Sequence, residues 1–372
     1  MTDIPSAGSI QRPLIKVAGA ALTMEKMDQL IDCRVQLAIG RPGQAVLRFF
    51  DHEFKLMDDA TLDIAKELTV GFTDDTNSVK GVFSGEIISV GLETGPNDEP
   101  VFVVTAYDKG HRLGRNSVNK VYKQQKYSDL VSAIAGRNGL TSDATATTQV
   151  FEHLIQNVDD ASMLNEIAAR TGFVWWVEGT AIKMKPPVLA GPALTLTMRS
   201  NLRRLRVNAT ATTVNTNVNV LGWDPKSKAA ITGASSTQPA KLATPTLVDN
   251  ARAGAGRIGS NTRATSRRSI LSVAEGNTLA KALHARAGSD EIDLRGEADG
   301  NADIKLGCTV TLAGVGTKLA GDYFVTAVDH QYSGRAFRTR FTSAGSAPST
   351  LVDLLGCGQS QWQSQGPVIG IV

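Results

Sequence analysis

The sequence contains one glycine-rich motif of a type that can bind dinucleotide phosphates. Residues 254–259 read Gly-Ala-Gly-Arg-Ile-Gly and match the pattern Gly-x-Gly-x-x-Gly. In a dinucleotide site this pattern follows a strand and opens a helix. Here it lies within 224–268, a segment rich in small residues and without an aromatic residue, so no strand is expected before it. The sequence therefore predicts no dinucleotide and no other cofactor.

The histidines, cysteines and serines form no recognisable catalytic or metal-binding pattern. The five histidines stand apart, without the His-Glu-x-x-His spacing of a zinc site. Asp329 and His330 are adjacent, but neighbouring residues of a strand point to opposite faces, so a structural histidine is expected. The three cysteines lack Cys-x-x-Cys spacing, and no Gly-x-Ser-x-Gly motif supplies a nucleophile. We predict no enzyme, no catalytic residue and no metal site; a hydrolase with two carboxylates in a cleft stays an open alternative.

Two tryptophans and several arginines could bind a base, a sugar or a phosphate. Trp175 and Trp176 are adjacent, so one is expected in the core and the other at the surface or in an interface. The arginines within 201–206 and 263–268 could contact phosphate, but no aromatic residues are interleaved with them. A basic patch that is solvated or faces a partner subunit is the favoured interpretation. A nucleic-acid or glycan binding module that uses the basic middle region remains the alternative.

Charge is distributed unevenly along the 372 residues. Residues 1–110 hold 10 Lys/Arg against 17 Asp/Glu, whereas residues 111–290 hold 23 against 11. Blocks of opposite sign indicate complementary faces between subunits or partners. The chain shows no secretion signal, and no apolar run is long enough to span a bilayer, so membrane anchoring is not expected.

Two stretches of the chain share one β pattern. Residues 306–341 alternate apolar and polar residues between turn glycines, as strands do. Residues 68–107 repeat the order of a strand, a glycine followed by an acid and an apolar run, a turn, and a final strand. Between them, residues 111–200 change to a helical period. The predicted fold class is mainly β with an α+β insert, in which two tube-like β-barrels related by an internal repeat are joined by a helix and hairpin module.

Composition and pattern divide the chain into five expected parts. In chain order these are a flexible leader (1–13), a first barrel (14–110), an α+β connector (111–200), a second barrel (201–345) with a long basic loop at 224–268, and a C-terminal linker (346–372) that leads to the start of a spike barrel.

Several of these stretches, in this order, resemble the hub proteins of contractile injection machines. That family includes the late control D protein of contractile-tailed phages, the N-terminal part of VgrG spikes of type VI secretion, and the spike proteins of extracellular contractile injection systems. The resemblance covers most of residues 15–345. It rests on 107–113 (Tyr-Asp-Lys-Gly-His-Arg-Leu), 127–131 (Tyr-Ser-Asp-Leu-Val), 160–185, 222–225 (Gly-Trp-Asp-Pro) and 307–341.

The C-terminal residues 366–372 are similar to the start of the oligosaccharide-binding-fold barrel that follows the hub in larger family members. The resemblance leaves two possibilities open. The spike is a separate protein, or the sequence is a truncated part of a longer chain.

The resemblance implies a structural baseplate hub that joins a sixfold inner tube to a threefold spike. In such hubs three chains form a ring, so two similar barrels per chain present six similar units. The expected partners are two further copies in a homotrimer, the inner tube ring, a spike tip or C-terminal spike, baseplate wedge proteins and effector cargo. Nucleic acid is not expected as a partner. The expected location is a phage-tail-like particle assembled in the cytoplasm of the producing cell, with extracellular release as a further option.

Five aromatic residues are assigned to the barrel core or to an interface. Tyr323, Phe324 and Phe341 lie in predicted strands of the second barrel, where aromatic residues pack well on a pleated surface. Trp175 and Trp176 lie in the predicted hairpin of the connector.

Overall fold

The computed structural model of the protein describes residues 12–73, 78–95, 98–191, 193–224, 227–334 and 336–343. Most of the expected leader and all of the expected C-terminal linker lie outside the described residues. Within them the chain forms 22 β-strands and six α-helices, together with two 3-10 helices, Ala60–Leu62 and Lys109–Gly114. The predicted mainly β fold class with an α+β insert is confirmed.

The first part of the chain forms antiparallel strands because apolar and polar residues alternate along it. In β3 and β4, defined below, every second side chain is buried near the strand centre. The elements are β1 (Pro13–Val17), β2 (Ala20–Ala21), α1 (Met24–Asp28), β3 (Leu30–Ala38), β4 (Gln44–Phe50), α2 (Lys55–Asp58), β5 (Glu67–Thr73), β6 (Val79–Glu93) and β7 (Val101–Asp108).

The middle part is the α+β insert. Its second helix is capped by Asp159, whose side chain accepts a hydrogen bond from the Ser162 amide, and it ends at Gly172 in a left-handed conformation. The elements are β8 (Lys120–Gln125), α3 (Tyr127–Arg137), β9 (Thr141–Ala144), β10 (Phe151–Gln156), α4 (Asp160–Thr171), β11 (Val174–Glu178) and β12 (Ala181–Lys185).

The last part returns to strands but contains two further helices. The elements are β13 (Leu194–Thr197), β14 (Leu202–Ala209), β15 (Asn217–Asp224), β16 (Ala229–Ser235), α5 (Thr246–Ile258), β17 (Thr262–Thr265), α6 (Val273–Ser289), β18 (Ile292–Asp299), β19 (Thr309–Ala313), β20 (Gly321–Phe324), β21 (Ala327–Ser333) and β22 (Ala336–Ser343).

The segment 224–268, expected to be a long loop, instead contains β16, α5 and β17. Gly254 and Gly256 of the glycine-rich motif lie inside α5, and Gly259 ends that helix. A phosphate-binding motif places its glycines in the turn before a helix. The motif is therefore part of a helix and does not form a phosphate-binding turn.

One 11-stranded sheet joins the two expected barrels. Its order is β14-β18-β22-β21-β3-β4-β7-β6-β5-β1-β2. The junction, which we call the seam, is the antiparallel pairing of β21 with β3 from Ala327↔Ala38 to Ser333↔Asp32. Among the described residues the ladder does not close on itself. The two expected barrels thus share a continuous, open run of hydrogen-bonded strands.

The sheet contains the internal repeat as two four-stranded units. The first unit is β3, β4, β6 and β7, which lie in the spatial order β3-β4-β7-β6. The second unit is β14, β18, β21 and β22, in the spatial order β14-β18-β22-β21. Both units therefore place their strands, numbered along the chain, in the order first, second, fourth, third. The two units follow one another head to tail, with β21 of the second unit beside β3 of the first.

The two units cover two apolar cores, and Tyr332 and Phe337 of the second unit pack in the core of the first. Val35, Leu47 and Phe102 lie in the core of the first unit, and Leu294 and Phe341 in that of the second. The insert has a separate core between its helices and strands, and a fourth small core lies between α6 and the sheet of β15, β16 and β17.

Candidate assembly surfaces

The face of the units that points away from both cores carries paired charges. Because side chains alternate along a strand, the residues between buried core positions share this face. We call it the charged face, and it contains five arginines and five carboxylates linked by ion pairs. Its members are Asp32, Arg34, Arg48, Glu93, Arg203, Asp299, Glu297, Asp329, Arg338 and Arg340. The formal charges of this ion-paired set therefore balance.

One of these pairs spans the seam. The Arg34 guanidinium donates to both carboxylate oxygens of Asp329, with Nε–Oδ1 at 3.0 Å and Nη2–Oδ2 at 2.7 Å. These hydrogen bonds raise the pKa of Arg34 above its usual value. A two-bond arginine–carboxylate contact fixes orientation as well as attraction. It therefore helps to hold the two units in one register.

A second group of pairs crosses the strands of the second unit. Glu297 on β18 accepts hydrogen bonds from Arg338 at 2.9 Å and from Arg340 at 3.0 Å, both on β22. The hydrogen bond from Arg340 is the main reason why the pKa of Glu297 lies below its ordinary value. Arg203 on β14 donates to Asp299 at 2.7 and 2.9 Å. These ion pairs thus link β18 to β22 and β14 to β18 across the charged face.

The arginines predicted to be basic surface differ in their surroundings. Arg204 and Arg206 on β14 are exposed, as are Arg263 on β17 and Arg267 after it. Arg268 is half-buried and donates to Glu166 on α4 at 3.1 Å. Part of this basic set therefore holds the insert against the last part of the chain.

A small cleft lies where the first unit, the insert and the last part of the chain meet. Its volume is about 210 Å³, and its lining includes Leu37, Asp108, Trp176 and Leu306. Asp108 ends β7 and is 5% exposed. Its carboxylate accepts hydrogen bonds from the Gly43 amide at 2.6 Å and the Gly110 amide at 2.8 Å. Burial raises the pKa of Asp108 to about 7, against the effect of the two amides.

Asp108 ties the β3–β4 turn to the 3-10 helix that follows β7. Its hydrogen bonds stay within the first part of the chain, so its role in the described structure is to brace that corner. Sequence reasoning missed this buried acid. The available signal was its place at the end of an alternating strand, in phase with the inward residues Phe102, Val104 and Ala106.

The aromatic residues predicted for the second barrel are buried. Tyr323, Phe324 and Phe341 are all at most 3% exposed. The Tyr323 hydroxyl donates to the Leu319 carbonyl at 2.8 Å, and burial raises the pKa of Tyr323 above its usual value. The Phe341 ring lies over Gly296, where an added Cβ would come within 2.3 Å of a ring carbon. Tyr323 on β20 and Phe341 on β22 therefore pack in the same core.

The two tryptophans face opposite ways, as adjacent strand residues do. Trp175 is buried in the insert core, and its indole Nε1 donates to the Asn165 side-chain oxygen at 2.8 Å. Trp176 is half-buried in the cleft and lies against Gly307. An added Cβ at Gly307 would come within 3.2 Å of the Trp176 ring. Trp176 therefore joins the insert to the last part of the chain.

The adjacent pair Asp329–His330 is divided between two environments. Asp329 lies on the charged face, whereas His330 is buried in the sheet. His330 Nδ1 and the Thr339 hydroxyl share a hydrogen bond at 3.0 Å, and burial lowers the pKa of His330 to about 4. The two residues do not form an acid–base pair. No group of three or more metal-binding side chains is found in the part of the chain that the structure describes.

Within the described ranges, no helix combines the length and the apolar character needed to cross a membrane.

The chain belongs to the family described as the Alg8 N-terminal domain, whose model matches residues 9–334. No curated protein matches the sequence. The family description names no activity, so it does not identify a function.

Solved structures with a similar fold include phage tail proteins and a type VI secretion component. The 43-kDa tail protein of prophage MuSo2 from Shewanella oneidensis has a TM-score of 0.66 at 9% identity, over 89% of this chain and 97% of that one. The tail protein from Neisseria meningitidis MC58 has a TM-score of 0.64 at 12% identity, over 90% and 96%.

The third structure is an E. coli component of the type VI secretion system with structural similarity to the bacteriophage T4 tail proteins gp27 and gp5. It has a TM-score of 0.55 at 12% identity, over 90% of this chain and 77% of that one. At these identities the similarity establishes a shared fold over most of the chain.

Proposed function

We propose that the protein is the structural hub of a phage-tail-like contractile injection particle. In this role three copies form a ring that joins a sixfold inner tube to a threefold spike. The observation that carries the proposal is the internal repeat, because each chain supplies two units with the same strand order. Three chains then offer six similar units, which is what a sixfold tube needs. The similarity to phage tail proteins supports the same assignment.

The proposed parts of the hub follow the expected division of the chain. Residues 14–110 and 201–345 supply the two tube-like halves, and residues 111–200 connect them. Tyr323, Phe324, Phe341 and Trp175 stabilise the cores, and Trp176 occupies an internal interface. The role is structural, and it calls for no catalytic residue.

The charged face is the proposed wall of the central channel. The opposite face of each unit covers an apolar core, so it is not available to solvent in a ring. Ion pairs satisfy ten of the charges of this face, and Arg204 and Arg206 add exposed positive charge at its β14 end. A surface whose charges are largely paired suits a wall along which cargo moves.

The proposed partners are further copies of the chain, the inner tube ring, a spike tip or C-terminal spike, wedge proteins and effector cargo. The proposed location is the assembled particle, built in the producing cell.

Mass photometry of the purified chain over a range of concentrations tests the proposal. We expect a species of three times the 39.4-kDa chain mass. Single-stranded DNA added as a probe should bind weakly and without displacing this species. A chain that stays monomeric at all concentrations and binds DNA in a salt-sensitive way would contradict the hub and favour a nucleic-acid module.

A further inference from the structure

The small sheet of β15, β16 and β17 has one face that nothing covers in the part of the chain that the structure describes. Its other face packs on α6, where Val218 and Ile231 contribute to the fourth core. At Gly233 an added Cβ would lie 2.0 Å from the backbone of Gly276, so the sheet and the helix are in direct backbone contact. The helix therefore holds the uncovered face as a rigid platform.

We call the uncovered side of this sheet the outer face. Because side chains alternate along a strand, the register of the three strands assigns nine side chains to it. They are Asn217, Asn219, Leu221, Trp223, Ala230, Thr232, Ala234, Thr262 and Ala264. None of the nine is ionisable, although 20% of the whole chain is charged. A charged ligand thus finds no ion-pair partner on the outer face.

Trp223 is the dominant side chain of the outer face, and 60% of its surface is exposed. Its cross-strand neighbour is the small residue Ala230, so the indole stands clear of β16. Leu221, which is 43% exposed, continues the apolar surface along the same strand. The face of an indole ring is electron-rich and attracts the partly positive C–H groups of a sugar ring. An exposed indole on a platform of small residues is therefore suited to stacking on a sugar.

Four uncharged polar side chains share the outer face with this apolar pair. They belong to Asn217, Asn219, Thr232 and Thr262, and none of them forms a side-chain hydrogen bond within the described residues. An amide group and a hydroxyl group can each provide both a donor and an acceptor. The hydroxyls of a sugar also donate and accept. The polar groups of the outer face therefore match a ligand rich in hydroxyls and need no charge to bind it.

The size of the outer face limits the kind of occupant. With strands about 4.8 Å apart and a rise of about 3.3 Å per residue, the face measures roughly 20 Å by 10 Å. This is on the order of 200 Å², whereas a specific protein interface buries about 800 Å² on each partner. Nucleic acid is also disfavoured, because its phosphates require lysine or arginine. A short uncharged oligosaccharide fits both the size and the polarity of the face.

We propose that the outer face binds a neutral glycan, with Trp223 stacking on a sugar ring and with Asn219 and Thr232 binding its hydroxyls. Arg263 is in register with Val218 and so belongs to the opposite side of the sheet. The site is therefore separate from the arginines that could contact phosphate. It goes beyond the proposed hub and does not depend on it, since a single folded chain contains the whole site.

Isothermal titration calorimetry of the purified chain with cellohexaose, chitohexaose and maltoheptaose tests the proposal. We expect at least one of these neutral oligosaccharides to bind, with an affinity that stays the same at higher salt because no ion pair is involved. Trp223→Ala should weaken this binding at least about tenfold, and Trp223→Phe should weaken it less. Asn219→Ala should weaken it about threefold or more, through the loss of hydrogen bonds.

The matched control is Leu271→Ala, which removes an apolar side chain that is 71% exposed but lies off the outer face. This variant should bind the oligosaccharide as the wild type does, and circular dichroism verifies that every variant folds. A wild-type chain that binds none of the three oligosaccharides, or binding that Trp223→Ala leaves unchanged, would overturn the proposal.

Mass photometry of Trp223→Ala separates a glycan site from a contact between copies. We expect this variant to associate as the wild type does. Weakened association, together with no glycan binding by the wild type, would assign the outer face to a second copy and overturn the glycan site. The proposed hub is tested separately, because it depends on the association of the wild-type chain.

Discussion

At one point in each half of the repeat, which we call the corner, the chain changes the strand with which it pairs. The two corners differ in structure. In the first unit the strand β6 is continuous: residues 79–86 pair with β5, residues 85–93 pair with β7, and a bulge lies between Ile87 and Ser89. In the second unit the chain breaks after β20, where the Val325 amide bonds to Cys308 and the Thr326 amide bonds to Thr342. Val325 thus bonds to the residue before β19, whereas the next residue, Thr326, bonds to β22. The repeat therefore conserves the path of the chain rather than the local strand geometry.

A glycine followed by an acid precedes the corner in both units, but the reasons for the glycine differ. At Gly85 an added Cβ would lie 2.2 Å from the Tyr107 carbonyl oxygen, so the backbones themselves approach too closely for a side chain. At Gly321 the backbone is in a region that favours glycine (φ 145°), and the nearest atom would be the Thr244 hydroxyl at 2.7 Å. A backbone contact at 2.2 Å limits the first corner, whereas conformation and looser contacts with Thr244 and Pro245 limit the second.

The largest expected effect is at the first corner. Gly85→Ala should lower the free energy of unfolding by about 4 kcal/mol, because the Tyr107 carbonyl cannot move without breaking the β6–β7 ladder. Urea denaturation measures the change. The matched control is Gly81→Ala on the same strand, where an added Cβ meets nothing within 4 Å. Equal stability of the two variants would show that the corner is not tightly packed.

The next effect comes from an acid that the second unit lacks. The fourth inward residue is Asp108 on β7 but Ser343 on β22. Because the pKa of Asp108 is raised to about 7, the folded chain holds a proton that the unfolded chain releases near pH 4. The stability contributed by protonated Asp108 is full below about pH 4 and is lost as the pH rises through about 7. Relative to Asp108→Asn, the wild type should lose about 2–4 kcal/mol over this range.

Urea unfolding of both proteins between about pH 4 and pH 8 measures this difference. The second unit supplies a contrast of opposite sign. His330 has its pKa lowered to about 4, so its contribution is full above about pH 6.5 and is lost as the pH falls through about 4. A pH profile that Asp108→Asn leaves unchanged would mean that the two amides keep Asp108 ionised.

A smaller effect is expected at the second corner. Gly321→Ala should cost about 2 kcal/mol, from backbone strain and from the contact with the Thr244 hydroxyl, which accepts a hydrogen bond from the Asp322 amide at 2.8 Å. Thermal and urea unfolding of this variant and of Gly85→Ala can be compared directly. A cost at Gly321 above that at Gly85 would reverse the interpretation of the two corners.

The smallest effect is expected at the seam. The Arg34 side chain is 43% exposed and that of Asp329 is 18% exposed, so solvent screens their attraction. A double-mutant cycle with Arg34→Ala and Asp329→Ala should give a coupling energy of about 0.5–1 kcal/mol, reduced at high salt. No coupling would mean that backbone pairing alone sets the register of the two units.

The alternation of apolar residues was sufficient to predict strands within 68–107 and 306–341, and the helical period predicted the helices of the insert. The strand β18 (Ile292–Asp299) was not predicted. Helix α4, for example, has a capping aspartate, an apolar stripe and a terminal glycine, which are all local signals. Helix α5 has none of these at its start, where Pro245 precedes it, and only Val248 and Ala255 are buried in it. A segment of small residues with so little apolar surface does not reveal a helix, because tertiary contacts stabilise it.

The seam and the burial of Asp108 could not be predicted from sequence. The pairing of β21 with β3 joins residues about 300 positions apart, and no local pattern specifies such a partner. The buried state of Asp108 depends on the turn at Gly43, on another strand. In contrast, the opposite orientations of Trp175 and Trp176 follow from strand geometry alone.

The most direct test of the hub is electron cryomicroscopy of the purified wild-type chain, with class averages viewed down the particle axis. The proposed assembly predicts a threefold ring of six similar lobes around an open channel. A closed particle without a channel, or a ring in which the two units of each chain do not alternate around the axis, would contradict it.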